Sequence, residues 1–317
     1  MFVKLLNEKR WLRHVVLACV LLACFAGSGC SIRHYALNKA ADALAQSGTT
    51  FASDDDPDLV QAAVPFSLKL MESILAENPQ HVGLLTSLAS GFTQYAYAFV
   101  QQEADELETH DLAAAEAKRT RAKRLYLRAQ RYGLRGLEVK HADFGKTLLT
   151  NPKSAVKAAN KADVPLLYWT AAAWASAISL SKDNPELVGQ IPAMEALIDR
   201  ALELDESFGN GSIHGFLISY EMSRPGSPGD AAARARKHFD RAIELSAGKD
   251  ASPWVALAEA VTIQKQDVKE FESLLNRALA INPQSDPDHQ LVNTVMQRRA
   301  RWLLSRKADL FLIEEKN

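Results

Sequence analysis

Cysteine is the residue type in this chain whose position points most directly to covalent chemistry. All three cysteines lie within the first thirty residues, and Cys30 follows the small residues Gly27-Ser28-Gly29. This arrangement predicts that the Cys30 thiol carries a lipid and that a signal peptidase cleaves before it. The segment Leu21-Leu22-Ala23-Cys24 has a similar pattern, with a leucine three places before its cysteine. Cys24 is therefore the alternative attachment residue.

Residues 1–29 have the layout of a lipoprotein signal peptide. Four basic residues precede an apolar run of twelve residues from Val15 to Ala26, which is too short for a membrane-spanning helix of roughly 20 residues. We expect the leader to be removed and the chain to be exported, held at a membrane by its lipid and facing the periplasm. Ser31, rather than an aspartate, follows Cys30 and favours the outer membrane.

The chain after Cys30 contains no cysteine, which excludes disulfide bonds, cysteine zinc sites and thiol catalysis there. Removal of the leader takes away four basic residues and one acidic residue, and it leaves residues 30–317 with a net charge of −4. Nucleic-acid-binding proteins carry a basic excess, so we expect no nucleic acid among the partners.

No group of residues in this sequence is typical of an enzyme. The eight histidines are scattered and do not form a His-Glu-x-x-His zinc motif. Gly209-Asn210-Gly211 resembles part of a phosphate loop, but His214 replaces the third glycine, and the segment is more typical of a turn before a helix. His214 and Glu221 would share a helix face and form a hydrogen bond. We predict no enzymatic activity, no metal and no cofactor.

Two groups of aromatic residues could line a groove for an apolar ligand. The first group lies within residues 92–99, and the second contains Tyr168, Trp169 and Trp174. We select Tyr95 and these three residues as candidate ligand contacts, because large rings offer contact area at low entropic cost. The alternative is that the rings are core residues, since side chains three and four apart share one helix face.

Arginines recur at three-and-four spacing within residues 118–135, where they form a stripe along one face of a predicted helix. Such a stripe suits lipid headgroups, an acidic protein or a carboxylate ligand. We select Arg124, Arg128 and Arg131 as candidate partner contacts. The alternative is a solvated face that is neutralised by the acidic stretch 103–116 of the same chain.

All of these residues are predicted to lie on or beside helices. Apolar residues recur at helical spacing over most of the chain, as in residues 57–77. Asp56, Asn151 and Asn184 each precede a proline, which is the typical arrangement of an N-cap and the first helical position. Alternating strand patterns are missing from the sequence. The sequence therefore predicts an all-α fold.

One short phrase returns at the end of several predicted helices and indicates the architecture. Its copies begin at Arg200, Arg241 and Arg277, with an alanine next and a large apolar residue three places before that alanine. These offsets match the second helix of a tetratricopeptide repeat. We predict an α-solenoid of degenerate tetratricopeptide-like pairs over residues 57–317, after an N-terminal helix and acidic linker over residues 30–56. The predicted pairs are 57–77 with 81–107, 163–181 with 191–205, 211–222 with 229–246, and 252–265 with 267–281, followed by a helix from 287.

Several longer motifs together carry a family resemblance. They are Gly29-Cys30-Ser31, Asp54-Asp55-Asp56-Pro57, the aromatic run from Gly91 to Gln101, Arg124-Leu125-Tyr126-Leu127-Arg128-Ala129, Leu167-Tyr168-Trp169, Ile213-His214, Lys237-His238-Phe239 and residues 299–304. With them the sequence resembles the T-component family of tripartite ATP-independent periplasmic (TRAP) transporters over nearly the whole chain after the leader. Gly27 departs from the family pattern, which has leucine at that position of the lipid-attachment motif.

The resemblance implies a periplasmic lipoprotein that associates with the substrate-binding protein of a TRAP transporter. It also implies a homo-oligomer, a trimer by analogy with the family, and a hydrophobic ligand held in a pore. The alternative from another functional class is a general envelope scaffold for protein–protein interaction, which the repeat pattern alone would equally support.

Overall fold

The computed structural model describes residues 14, 35–46 and 48–312 of the chain. In these residues every regular element is a helix and no strand occurs, which confirms the predicted all-α fold. Cys24, Cys30 and all of the leader except residue 14 lie outside the described residues. We label the α-helices α1 (35–45), α2 (Gly48–Ala52), α3 (Pro57–Glu77), α4 (Val82–Tyr95), α5 (Gln102–Leu107), α6 (Leu112–Lys140), α7 (Phe144–Thr150), α8 (Pro152–Ala155), α9 (Val164–Ser179), α10 (Pro185–Val188), α11 (Ile191–Leu204), α12 (Ser212–Tyr220), α13 (Ala231–Leu245), α14 (Ser252–Leu257), α15 (Val268–Ala280), α16 (Gln290–Ser305) and α17 (Lys307–Leu310).

The predicted helix starts follow from their caps. The Asp56 side chain accepts hydrogen bonds from the backbone N–H groups of Asp58 and Leu59 at the start of α3. Asn151 and Asn184 cap α8 and α10 in the same way, each before a proline. A capping side chain satisfies backbone donors that have no partner inside the helix, and proline lacks the donor that would be unsatisfied there.

The helices pack as the predicted pairs, α3 with α4, α9 with α11, α12 with α13 and α14 with α15. The alanines of the repeated phrase, Ala201, Ala242 and Ala278, are all buried. A side chain built at Gly211 would come within 3.2 Å of the Ala242 Cα atom, so these two positions set a close approach between α12 and α13. The small residues therefore lie where paired helices come close, as in helical repeats.

The long helix α6 packs against both α4 and α9 and joins the first pairs of the array. Its buried face contains Gly133 and Gly136, which lie directly against Thr170 and Leu166 of α9. A Cβ atom on Gly133 would overlap the Thr170 hydroxyl, and one on Gly136 would lie 2.6 Å from Leu166 Cδ2. The glycines therefore allow α6 and α9 to approach more closely than larger side chains would.

Replacement of Gly133 by alanine is expected to destabilise the protein by about 1–3 kcal/mol, because overpacking moves α6 away from α9. Gly215 in α12 is a matched control, since a Cβ atom there meets nothing within 4 Å. The Gly215→Ala variant is expected to be more stable by up to about 1 kcal/mol, because alanine loses less backbone entropy on folding. Urea unfolding measures both effects. Equal effects in the two variants would contradict the close-approach role of Gly133.

The helical array closes on itself. The C-terminal helix α16 contacts α2 and α3 near the start of the described chain, and Val295 of α16 belongs to the same apolar cluster as Leu84 and Leu88 of α4. Arg298 lies 3.6 Å from Asp58 at the start of α3. An open solenoid would leave its last helix at a free end. Here the last long helix, α16, packs against the first helices of the array.

Candidate functional site

Three of the four aromatic residues predicted to contact a ligand lie together on α9. Tyr168 and Trp174 are buried, and Trp169 is half-buried. The rings of Tyr168 and Trp169 meet edge to face with centroids 4.8 Å apart, and Trp174 Nε1 donates a hydrogen bond of 3.0 Å to Gln190 Oε1. Burial and the charge of Asp250 raise the pKa of Tyr168 above its ordinary value. These contacts fix the rings within the core around α9 and α11.

Tyr95 lies in a different apolar cluster, which α3, α4 and α6 build. Its ring centroid is 5.7 Å from that of Phe99, and the Arg121 guanidinium lies over the Tyr95 ring, 5.7 Å from its centroid. The structure therefore does not bring Tyr95 together with Tyr168, Trp169 and Trp174. Trp169 has the most accessible ring of the four. The ligand role of these residues stays a prediction.

A groove of about 390 Å³ opens between the first turns of α6 and the segment that follows α9. Seven of its eight lining residues are charged or polar, and none of the four selected rings lines it. Its lining residues are Glu116, Arg119, Thr120, Lys123, Ser179, Leu180, Lys182 and Asp183. This polar wall suits water and ions better than the apolar ligand that the family resemblance implies.

The structure separates the members of the arginine stripe on α6. Arg128 bonds to Glu72 of α3 through Nε at 2.6 Å and Nη2 at 3.1 Å, and the Tyr132 hydroxyl donates to the same carboxylate at 2.6 Å. Burial raises the pKa of Glu72, but hydrogen bonds from Lys69 and Tyr132 and the charge of Arg128 outweigh it and leave the pKa below its ordinary value. Arg128 therefore joins α6 to α3.

Arg124 and Arg131 are exposed, and neither forms an ion pair with another described residue. The acidic stretch bonds elsewhere, since Glu103 pairs with Lys118 and Asp105 lies 3.8 Å from Arg119. Local neutralisation of the whole stripe, the alternative interpretation of the sequence, does not extend to these two arginines. Their role as partner contacts stays a prediction.

Arg299 of α16 occupies the junction where the array closes. Its side chain is 10% exposed, and Nη2 lies 2.6 Å from Glu259 Oε1 and 3.1 Å from Asp105 Oδ2. Its guanidinium also lies 4.2 Å from the ring centroid of Trp302. Arg299 thus connects the C-terminal helix to α5 and to the segment after α14. Sequence reasoning missed this role, and the only signal was the position of Arg299 in the family motif 299–304.

Two short π-helical segments meet at this junction. Ala96–Gln101 continues α4 into α5 and carries Tyr97, and Ala258–Thr262 continues α14 and carries Glu259. Desolvation of the Tyr97 hydroxyl and the nearby Glu259 raise the pKa of Tyr97 to about 12, although the residue as a whole is 38% exposed. A π-turn inserts an extra residue and redirects the side chains that follow it. The sequence analysis predicted helices over residues 81–107 and 252–265, but the helical periodicity did not predict these π-turns within them.

A pair of histidines connects α12 to α13. His214 Nδ1 and His238 Nδ1 lie 2.8 Å apart, so one ring donates a hydrogen bond to the other. The sequence analysis predicted a hydrogen bond between His214 and Glu221, and this prediction is wrong. Glu221 instead pairs with Arg224 at 3.0 Å and with Arg234 at 2.5 Å. Burial and the charge of His214 lower the pKa of His238 to about 4, and burial also lowers the pKa of His214.

Comparison with known proteins decides the family of this scaffold. The model of the TRAP transporter T-component family matches residues 53–311. The chain belongs to the TRAP transporter T-component family. A protein of Treponema pallidum (strain Nichols), described as uncharacterized, is 28% identical over 308 residues, which cover 92% of this chain and 95% of that protein.

The matched residues include all the candidate ligand and partner contacts on the helices, as well as the Asp56 cap and Arg299. Cys24 and Cys30 precede the matched region. The T-component family consists of transporter accessory proteins and is not known as an enzyme family. Among residues 35–46 and 48–312, no cluster of histidine, cysteine, aspartate or glutamate could hold a metal ion.

The histidine pair predicts that the protein loses stability in mild acid. The pKa of His238 is lower in the folded protein than in the unfolded chain, so the unfolded chain binds more protons as the pH falls from about 6.5 towards 4. Glu206, Glu221, Arg224 and Arg241 face the pair and add to its electrostatic environment. We expect Tm to fall between pH 7 and pH 5 and to fall less in a His238→Gln variant. The exposed His110 supplies the control, and a His110→Gln variant with an equally flattened profile would contradict this assignment.

Proposed function

We propose that this protein is an accessory lipoprotein of a TRAP-type solute import system and that it binds the periplasmic substrate-binding protein of that system. The observation that carries the proposal is the T-component family match over residues 53–311. The helical array supports it physically, because stacked helix pairs offer a large rigid surface for a protein partner.

We further propose Cys30 as the lipid-attachment residue of an exported chain at the outer membrane, with Cys24 as the alternative. A Cys30→Ala variant is expected to lose its lipid and to move from the membrane fraction to the soluble periplasmic fraction. Labelling with a radioactive fatty acid measures the lipid, and the Cys24→Ala variant is the control. Loss of label from Cys24→Ala alone would assign the lipid to Cys24 instead.

A homo-oligomer, trimeric by analogy with the family, and a bound apolar ligand complete the proposal. Tyr95, Tyr168, Trp169 and Trp174 are the proposed ligand contacts. Trp169, which is only half-buried, is the most direct residue to test. A Trp169→Ala variant is expected to carry less of any apolar molecule that co-purifies with the wild type, while its oligomeric mass stays unchanged.

The decisive experiment isolates the full chain from envelope extract under mild conditions and identifies bound proteins and small molecules by mass spectrometry. Enrichment of a TRAP substrate-binding protein over an extract without the tagged chain supports the proposal. Recovery of outer-membrane or cell-wall assembly proteins without any binding protein would instead support a general envelope scaffold.

A further inference from the structure

The outward face of α3 exposes large apolar side chains in a regular row. Leu59, Phe66 and Leu70 are 59%, 74% and 39% exposed. Their spacing of seven and four residues places them on one side of the helix, and the exposed Ala62 lies in the same row. We call these four residues the α3 stripe. A row of this kind on a surface helix needs a partner, because contiguous exposed apolar surface is uncommon in soluble proteins.

The other face of α3 is held in the fold. Val60, Leu68, Met71 and Leu75 are buried in the cluster shared with α4 and α6. By length and composition α3 is the single described helix apolar enough to cross a membrane, yet only 22% of that apolar window is buried. A helix with one face fixed in the protein and the other face apolar and exposed suits the plane of a membrane interface better than a spanning position.

Exposed cations lie on α6, the helix that Arg128 and Tyr132 join to α3. The bonds of Arg128 and Tyr132 to Glu72 fix α6 next to α3. The exposed Arg124 and Arg131 follow the same stripe of α6 as Arg128 and have no ion-pair partner among the described residues. The carboxylates of α3 itself lie at its ends, on Asp58 and Glu77, or are neutralised, as on Glu72. Arginines bordering an apolar face complement anionic lipid headgroups, each contributing roughly 1 kcal/mol near a charged membrane.

The N-terminal chain leads to the same region. Asn38 of α1 accepts a hydrogen bond of 2.6 Å from Asn78, the residue after α3, and Asp42 lies 3.1 Å from His81. The described part of α1 therefore begins near the C-terminal end of α3. Cys30 precedes Tyr35 by five residues, which span at most about 18 Å when extended. A lipid on Cys30 would thus enter the bilayer within reach of the α3 stripe.

We propose that the α3 stripe, together with the exposed Arg124 and Arg131 of α6, forms a membrane-docking surface that lies on the anionic bilayer to which the chain is tethered. This inference rests on the lipid attachment proposed above, and it adds a defined orientation of the helical array at the membrane. The acyl chains hold the protein at the bilayer, and the docked face turns the remainder of the array towards the periplasm. Neither contact with a binding protein nor a second copy of the chain is needed for this surface to be covered.

The test places a polarity-sensitive fluorophore (NBD) on the stripe of the full chain, processed and acylated by the cell. An Ala62→Cys variant carries the label within the stripe, and an Ala233→Cys variant carries it on the exposed face of α13. Both are reconstituted into phosphatidylethanolamine–phosphatidylglycerol vesicles that contain lipids brominated on their acyl chains. Labelled wild-type chain gives the background from any reactive native cysteine.

We expect at least about threefold stronger quenching at position 62 than at position 233, because a docked helix lies roughly 5–10 Å into the interface. Adding Leu59→Ser and Phe66→Ser should abolish this difference. Adding Arg124→Glu and Arg131→Glu should reduce it, most strongly in vesicles rich in phosphatidylglycerol and at low salt. Circular dichroism of each variant checks that these exposed substitutions leave the fold intact.

Equal quenching at both positions would overturn the inference. A blue shift at position 62 that grows with protein concentration and is not quenched by brominated lipid would assign the stripe to a second copy of the chain. Loss of the substrate-binding protein in the Arg124→Glu/Arg131→Glu variant, with unchanged quenching, would assign the arginines to that protein. Because envelope pull-down with the Leu59→Ser/Phe66→Ser variant measures partner binding separately, failure of membrane docking is distinguishable from failure of the proposed function.

Discussion

Replacement of Arg299 by leucine is expected to destabilise the protein by about 2–4 kcal/mol, because two half-buried carboxylates lose the cation that they share. Arg299 is the shared partner of Glu259 and Asp105, which are 25% and 24% exposed. Burial already raises the pKa of Asp105 despite the charge of Arg299. Without Arg299 both carboxylates would lie in a poorly solvated junction, and α16 would lose its polar bonds to α5 and to the segment after α14.

The measurement is the free energy of unfolding in urea at pH 7, and Arg306→Leu is the matched control. Arg306 also lies over the Trp302 ring, at 5.4 Å, but its partner Asp309 is 61% exposed. An exposed pair of this kind contributes less than about 1 kcal/mol. A double variant, Arg299→Leu with Glu259→Leu, should recover part of the loss, because one unpaired charge is removed as well. Similar losses for Arg299→Leu and Arg306→Leu would show that the junction does not hold the array closed.

The parts of the fold that the sequence predicted are those that depend on local patterns. Helix starts at Asp56, Asn151 and Asn184 follow from capping side chains next to prolines, which act within one turn. The buried alanines Ala201 and Ala242 follow from a repeated phrase whose spacing reflects close packing between neighbouring helices. In each case the residues that form the contact are close in sequence or repeat regularly along it.

The closure of the array and its polar junction could not be predicted in this way. Arg299 bonds to Glu259, 40 residues earlier, and to Asp105, which is farther still. Arg128 bonds to Glu72, 56 residues away, although the acidic stretch is nearer in sequence. Charged side chains carry no periodic signal that identifies a distant partner. Only the fold decides which of several carboxylates lies opposite a given arginine.

The same limit applies to the candidate surfaces. Aromatic content alone indicated Tyr95 and Trp174 as ligand contacts, but rings of this size are equally common in cores, and both are buried. Phe66 is one of the apolar residues at helical spacing in 57–77, yet it is 74% exposed. Period alone shows that residues share a helix face, and it does not show whether another element covers that face.

Replacement of Asp163 by asparagine is expected to destabilise the protein by about 3 kcal/mol at pH 7, because a fully buried charge that three donors hold is lost. The Asp163 side chain is 0% exposed. Its carboxylate accepts hydrogen bonds from Lys140 Nζ at 2.7 Å and from the Asn160 backbone N–H at 3.0 Å, and its second oxygen also lies 3.0 Å from His141 Nε2. These bonds tie the last turn of α6 to the segment that leads into α9. Asparagine has an NH2 group in place of one carboxylate oxygen. This group would face some of these donors, and two donors cannot form a hydrogen bond with each other.

The loss of stability caused by Asp163→Asn should become smaller as the pH falls. Burial raises the pKa of Asp163, but the hydrogen bonds from Lys140, the Asn160 backbone and His141 outweigh it and place the pKa below its ordinary value. The unfolded chain therefore binds more protons than the folded protein as the pH falls below about 4, and the contribution of Asp163 disappears there. Unfolding free energies of the two proteins should differ most at pH 7 and converge as the pH falls below about 4. The exposed Asp143, whose left-handed backbone with φ of 57° asparagine also tolerates, supplies a nearly neutral Asp143→Asn control. A constant difference between wild type and Asp163→Asn across this pH range would mean that shape, rather than charge, makes Asp163 necessary.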